Sequence, residues 1–326
     1  MFSFPLRRIV VGLVAAALLA VAACSSQGGV QQQSPDQSGS PRLVIAMITH
    51  GAQGDVFWDQ IQKGAQEAAA KDNVEFKYSG SINANEQSTF VQNAIDSKVN
   101  GIAVTLPNAA AVAPVVQKAV AAGIPVVAIN AGDRDWQKLG ALSFFGEPEV
   151  LAGEFAGEQL NKLGAKHALC VIQAQGQIQL EDRCAGTASK FTGQTEKLYA
   201  NGDDTPSYVS TVSSKLRQDP TIDAVLTLGP ALGVAAQQQL EQDGSKAIVA
   251  TYAFTSDLIP LLQNGKVAFT IDQQPYLQGY MAVDSLWLYN RNHSALGAQQ
   301  SVATGPVVVD QSNIGQLTDF IKQGLR

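Results

Sequence analysis

From residue 43 onward, short apolar runs rich in β-branched residues alternate with longer segments whose apolar positions recur every three or four residues. Residues 43–49 predict a buried strand, and 57–72 a helix with Ile61, Ala65, Ala68 and Ala69 on one face. Strands at 74–79, 101–106 and 124–129 follow, with helices at 85–98 and 110–122 between them. The same alternation restarts after Gly146. Helices are expected at 149–163, 181–192 and 233–242, and strands at 167–174, 224–228 and 247–252. Strict alternation of this kind implies a parallel sheet covered by helices on both faces.

Two stretches also share an order of features. Residues 101–130 and 222–252 each run from a strand ending in Thr-Leu through a Pro-containing turn, an Ala/Val-rich helix and a glycine to a second strand. The pattern predicts two related α/β lobes. Open parallel sheets collect ligands at the carboxyl ends of their strands, so two facing lobes would line one cleft.

The N-terminus changes the picture of where this fold resides. Arg7 and Arg8 precede a short apolar stretch at 9–23, which ends in Ala22-Ala23-Cys24. That stretch has the length of a signal-peptide core, and small residues before a cysteine resemble the bacterial lipoprotein signal. Residues 1–23 are therefore expected to be removed and Cys24 to be lipidated, the alternative being an ordinary secretory signal with Cys24 incidental. Residues 24–41, built of Ser, Gln, Gly and Pro, predict a flexible tether, leaving about 285 residues for the folded part. An extracytoplasmic protein anchored to a bacterial membrane surface is the expectation.

Charge narrows the partners. The net charge of −6 becomes −8 when Arg7 and Arg8 leave, and no Lys/Arg-rich stripe is present, which argues against nucleic acid. Cys170 and Cys184 are the remaining cysteines; in an oxidising compartment they are expected to pair, with two buried thiols as the alternative. No metal site is expected, because His167 and His293 lack carboxylate or cysteine partners at ligand spacing. Phosphate-loop, dinucleotide and hydrolase motifs are missing, so neither a cofactor nor catalysis is expected.

Three blocks carry a family likeness: Asp55-Val56-Phe57-Trp58 with Lys63-Gly64-Ala65; Gly123-Ile124-Pro125-Val126-Val127 before Asn130; and Asp272-Gln273-Gln274-Pro275 with Gly279. Together they resemble the periplasmic sugar-binding proteins of ribose-binding type, the ligand-capturing components of ABC importers. The resemblance implies an α/β fold of two doubly wound parallel-sheet lobes joined by a three-crossing hinge, with the ligand cleft between them. It places lobe 1 at 42–145 and 274–302, and lobe 2 at 146–273 and 303–326. A monomer that binds a small neutral sugar or polyol and docks on an ABC permease is what it implies for partners.

Residue by residue, the resemblance implies that Phe57 and Trp58 cover one face of the ligand, the alternative being a first helical turn that packs on the core. Asp55 would accept hydroxyl protons, or instead cap a helix. Asn130 falls where the family has Asp, and Ala131 where Arg is frequent. Arg183, in the run Arg183-Cys184-Ala185-Gly186, matches the family's binding arginine; a surface ion pair with Glu181 or Asp182 is the alternative. Gly229-Pro230 and Tyr252-Ala253 depart from the pattern, leaving Tyr252 a stacking role and Asp272 or Gln273 the replacement polarity. Loss of an Arg and an Asp points to an altered neutral ligand such as a sugar alcohol. His50, after the first strand, is expected to be solvent-exposed, with a place at the cleft mouth as the alternative. Rival readings are a secreted enzyme, a sugar-responsive repressor, which would need an N-terminal DNA-binding helix pair, and a receptor feeding a membrane sensor.

Overall fold

The structure is a computed structural model that describes residues 42–52 and 54–326. The signal peptide, tether and lipidated Cys24 expected from the sequence lie outside the described residues.

Residues 42–326 fold around two six-stranded sheets. The first contains β1 (Val44–Thr49), β2 (Glu75–Gly80), β3 (Gly101–Val104), β4 (Val126–Ile129), β5 (Phe144–Gly146) and β11 (Val302–Ala303), in the order β11-β5-β4-β3-β1-β2. All of its pairings are parallel. The second contains β6 (His167–Ile172), β7 (Gln194–Tyr199), β8 (Ala224–Thr227), β9 (Ile248–Tyr252), β10 (Phe269–Asp272) and β12 (Val307–Asp310), in the order β12-β10-β9-β8-β6-β7. Here the edge strand β12 runs antiparallel to β10.

Helices α1 (Val56–Lys71), α2 (Ala84–Asp96), α3 (Ala109–Ala121) and α9 (Pro275–Asn292) clothe the first sheet. The second carries α4 (Glu149–Lys162), α5 (Ile178–Lys190), α6 (Thr205–Gln218), α7 (Pro230–Gln242), α8 (Leu258–Gln263) and α10 (Ile314–Lys322). Strand side chains alternate between the two faces, so each sheet builds two cores. Ile45 and Met47 pack with α1 and α9, whereas Ala46 and Ile48 pack with α2 and α3. In the second sheet Cys170 and Ile172 face α4 and α5, while Leu169 and Val171 face the other core. This double burial is why the strands read as continuous apolar runs.

Glycines set the closest helix contacts. A Cβ on Gly64 of α1 would stand 1.9 Å from the Tyr276 carbonyl oxygen, and one on Gly279 of α9 would stand 1.9 Å from that of Ile61. The second lobe repeats the device: Gly153 of α4 would meet the Arg183 carbonyl at 2.1 Å. A disulfide joins Cys170 of β6 to Cys184 of α5, with Cα atoms 5.8 Å apart.

The chain passes between the sheets three times: after β5 into α4, after β10 into α9, and between β11 and β12. Two of these passages meet in side-chain bonds. Thr304, after β11, donates its hydroxyl to the Gln273 carbonyl at 2.7 Å, and Gln274 Nε2 donates to the Thr304 carbonyl at 2.6 Å.

Candidate functional site

A cavity of about 390 Å³ opens between the lobes, within the size range of small-molecule sites. Its lining comes from loops and helix starts at the carboxyl ends of strands: His50 to Trp58 after β1, Asn130 after β4, Gln173 to Arg183 after β6, Leu228 to Leu232 after β8, Ala253 and Thr255 after β9, and Gln273 after β10.

Lobe 1 contributes an aromatic wall. Trp58, only 6% exposed, stands edge-on to His50 at 4.7 Å between ring centroids and to Phe57 at 5.2 Å. Asp55 lines the cavity and also caps α1, accepting from the Phe57 amide at 3.0 Å, so the two roles foreseen for it coexist geometrically. Asn130 adopts a left-handed φ of 61°, which asparagine tolerates better than most residues. Its Nδ2 donates to Gln273 Oε1 at 2.9 Å and to Gln278 Oε1 at 3.3 Å.

Lobe 2 contributes a buried charge. Arg183 is 4% exposed, and its guanidinium donates to Glu149 through Nε (2.6 Å) and Nη2 (3.2 Å). Nη2 also lies 3.1 Å from Glu147 Oε1. Burial works against the charge on Arg183, but the two glutamates outweigh it and hold the proton more tightly than usual. Burial pushes the Glu149 carboxyl up to about 7, with Arg183 pulling the other way. Burial and then the charge of Glu149 push Glu147 well above the carboxylate range. Two acids around one guanidinium thus favour one shared proton and a site with little net charge.

The lobes also touch across the cleft. Arg134 Nη2 meets Asp182 Oδ1 at 2.7 Å, and the Ile178 amide approaches the Pro107 carbonyl at 3.4 Å. The side chains of His50 and Gln179 come within 3.4 Å.

Of the eight residues foreseen as ligand contacts, Asp55, Phe57, Trp58, Asn130, Arg183 and Gln273 line the cavity. Tyr252 and Asp272 do not, and their assignment as direct contacts is corrected. Tyr252 is fully buried, its ring 4.5 Å beneath the Arg183 guanidinium, so it supports the arginine from behind. Asp272 is fully buried and accepts from the Gln274 amide at 2.8 Å and from Arg326 Nε at 2.6 Å, which ties the C-terminus to the second crossing. The alternative of a surface ion pair for Arg183 is also corrected, because its partners are the buried Glu147 and Glu149.

His50 is buried, not exposed. Its Nδ1 lies 2.9 Å from Thr105 Oγ1, and burial, followed by the nearby charge of Arg183, lowers its pKa to about 3. The expectation that His167 lacks acidic neighbours is corrected too. Glu196 lies 3.8 Å from its Nε2 and Asp219 3.9 Å from its Nδ1. His167, Glu196 and Asp219 make a grouping of the kind that can hold a metal. The two carboxylates face different ring nitrogens. Among the residues missed altogether are glutamines: Gln173, Gln177 and Gln179 line the cavity, and the recurrence of glutamine at alternate positions after a strand was the available signal; Asp203, Thr205 and Thr255, which also line it, carried none.

Comparison with known proteins agrees with this architecture. The model of the periplasmic binding protein domain matches residues 45–292. A carbohydrate transporter from Acidothermus cellulolyticus 11B, whose crystal structure holds myo-inositol, is similar with 50% identity and a TM-score of 0.86, covering 88% of this chain and 100% of that one. The periplasmic sugar-binding protein of an ABC sugar transporter from Legionella pneumophila shares 27% identity and a TM-score of 0.74 over 81% of this chain and 100% of its own. The xylose/arabinose-binding protein XylF of Sulfolobus acidocaldarius is 27% identical over 84% of this chain and 72% of its own length. With the matched model spanning both lobes, the chain belongs to the periplasmic binding protein domain family.

Proposed function

We propose that this protein captures a small neutral polyol, of the size and hydroxyl density of a cyclitol or monosaccharide, and delivers it unaltered to an ABC importer. The observation that carries the reading is the composition of the cavity wall. A polyol has apolar C–H faces and hydroxyls that both donate and accept, which suits aromatic rings set beside amides and a guanidinium. Trp58 and Phe57 offer the rings, Asn130, Gln173 and Gln273 the amides, and Arg183 the guanidinium. Because Glu147 and Glu149 neutralise Arg183 internally, the site has no need of an anionic ligand. Myo-inositol in the Acidothermus transporter supports the polyol class.

The mature protein is proposed to begin at a lipidated Cys24, with residues 24–41 as its tether, lobe 1 as 42–145 and 274–302, and lobe 2 as 146–273 and 303–326. Ligand bridging of the two walls stabilises the closed form, which the permease recognises.

A thermal-shift panel of myo-inositol, its epimers, pentoses and hexoses tests the reading. A true ligand at 100 times its Kd stabilises the fold by about 2.7 kcal/mol. Melting curves that stay level across the whole panel would reject the polyol. Membrane release of the Cys24→Ser variant and co-purification of a permease test the anchor and the partner.

A further inference from the structure

Asn130 and Gln273 meet the cavity through side-chain amides, and an amide can present either its oxygen or its nitrogen. In this protein the choice is fixed from behind. The fixed point is the Gln273 backbone carbonyl, which can only accept. Gln278 Nε2 lies 3.0 Å from it, and the Thr304 hydroxyl donates to it at 2.7 Å. Thr304 Oγ1, having given its proton to the carbonyl, accepts from Gln278 Nε2 at 3.2 Å. The nitrogen end of Gln278 is therefore set, and its Oε1 must face Asn130.

The next links follow from the same logic. Asn130 Nδ2 directs its hydrogens to Gln278 Oε1 (3.3 Å) and Gln273 Oε1 (2.9 Å). Gln278 Nε2 also lies 3.4 Å from Gln273 Oε1, a minor contact because its two hydrogens point to the Gln273 carbonyl and Thr304 Oγ1. Asn130, Gln273, Gln278 and Thr304 are all at most 5% exposed, so water does not compete freely for these bonds. The network leaves over Asn130 Oδ1, an acceptor, and Gln273 Nε2, a donor, on two residues that line the cavity.

We propose that Gln278, itself fixed by Thr304 and the Gln273 carbonyl, is a positioning residue that makes Asn130 an acceptor and Gln273 a donor toward the ligand. Such a neighbouring donor and acceptor suits a hydroxyl, which takes one hydrogen bond and gives another. The inference rests on the polyol reading for its ligand, but the orientation of the amides is a property of the free protein. The same network gives a reason for asparagine at position 130. A carboxylate there would face two amide oxygens, with Ala131 supplying no compensating charge.

The test uses Gln278→Met, which removes the amide and nearly keeps the length. Calorimetric titration compares wild type and variant on myo-inositol and its monodeoxyfluoro analogues, since fluorine accepts weakly and cannot donate. For wild type, the analogue lacking the hydroxyl that donates to Asn130 should bind about tenfold or more weakly than myo-inositol. In the variant Asn130 is free to turn its NH₂ to the fluorine, and that penalty should shrink to about threefold or less. A uniform loss of affinity across the set, with the wild-type ratio preserved, would overturn the positioning role.

Nitrogen-15 NMR of the ligand-free protein gives an independent readout. The Asn130 side-chain NH₂ should exchange with solvent slowly in wild type and about tenfold faster in Gln278→Met. Equal exchange rates would overturn the proposal even if no polyol binds. Failure of wild type to bind any member of the set, with exchange as expected, would reject the ligand class and leave the relay standing. Should Gln278→Met not fold, Thr304→Val removes the hydroxyl that orients Gln278 and is read by the same two measurements, with the same outcomes for and against.

Discussion

The two lobes share a fold yet solve the problem of polar groups at a cleft in opposite ways. Lobe 1 meets the crossings in a neutral network, in which its Asn130 and Gln278 bond through amides and a hydroxyl to Gln273 and Thr304. Lobe 2 has an ionic one, in which Arg183 is held by Glu147 and Glu149 and backed by Tyr252. A buried neutral bond contributes about 0.5–1.5 kcal/mol, whereas removing one member of a buried ion cluster costs about 3–5 kcal/mol. The comparison teaches that the lobes should respond unequally to equivalent substitutions.

The largest effect is therefore expected from Arg183→Met, which leaves two buried carboxyls without their cation. Urea unfolding should show a loss of about 3–5 kcal/mol, and affinity for a bound polyol should fall at least about tenfold. Asn130→Ala should remove no more than about 1–3 kcal/mol. If the two variants unfold alike, the distinction between an ionic and a neutral network collapses.

Covalent closure sharpens the contrast between the helix pairs. Both lobes press helices together through glycine, but lobe 2 adds the Cys170–Cys184 bond across 14 residues. Replacing both cysteines by alanine should lower stability by about 3 kcal/mol, the loop-closure contribution for a span of this length. Local hydrogen exchange should rise in α5 and β6, and not in α1 or α9.

The ionic network also predicts a pH signature. Glu149, raised to about 7, binds its proton more tightly folded than unfolded, so stability from this pair is present below about 4.5 and lost as pH rises through 7. His50, lowered to about 3, acts oppositely: the unfolded chain takes up a proton below about 6.5, so stability falls as pH drops from there. Wild type should melt highest between these limits. Glu147→Gln, a neutral mimic of the protonated acid, should match wild type near pH 5 and exceed it at pH 8, while His50→Gln should flatten the acidic side. An unchanged alkaline slope in Glu147→Gln would show that the acids carry no shared proton.

Legibility from the sequence divided along the same physical line. Strands buried on both faces, such as β3 and β8, declare themselves as apolar runs, and the helix over Ile61 to Ala69 by its period. The edge strand β7, reading QTEKLY, is half solvated and has no apolar signature, and α6 is mostly Ser, Thr and charged residues. Neither stood out. Among site residues, Trp58 and Arg183 were found through their chemistry and setting, but whether a side chain lines a cavity or sits one layer behind it depends on a few ångströms of packing. Tyr252 and Asp272 fell on the wrong side of that boundary. The glutamine network was hidden for a different reason: Gln273, Gln278 and Thr304 gain meaning only when the crossings bring them together.

The smallest expected effect concerns the contact between the lobes. Arg134, about half exposed, pairs with Asp182 across the cleft mouth without lining the cavity. With Arg134 half in solvent and Asp182 largely buried, such a pair contributes about 1 kcal/mol, and because it spans the two lobes their separation would break it. Arg134→Ala should therefore leave the unfolding of the unliganded protein nearly unchanged and weaken ligand binding by about two- to fivefold, with the difference shrinking as salt is raised. Asp182→Asn should do the same, and the double variant should be no worse than either single one, because each removes the same bond. A double variant whose losses simply add would mean that Arg134 and Asp182 act separately. The closed form would then owe its stability to the ligand and to the other contacts across the cleft, Ile178–Pro107 and His50–Gln179.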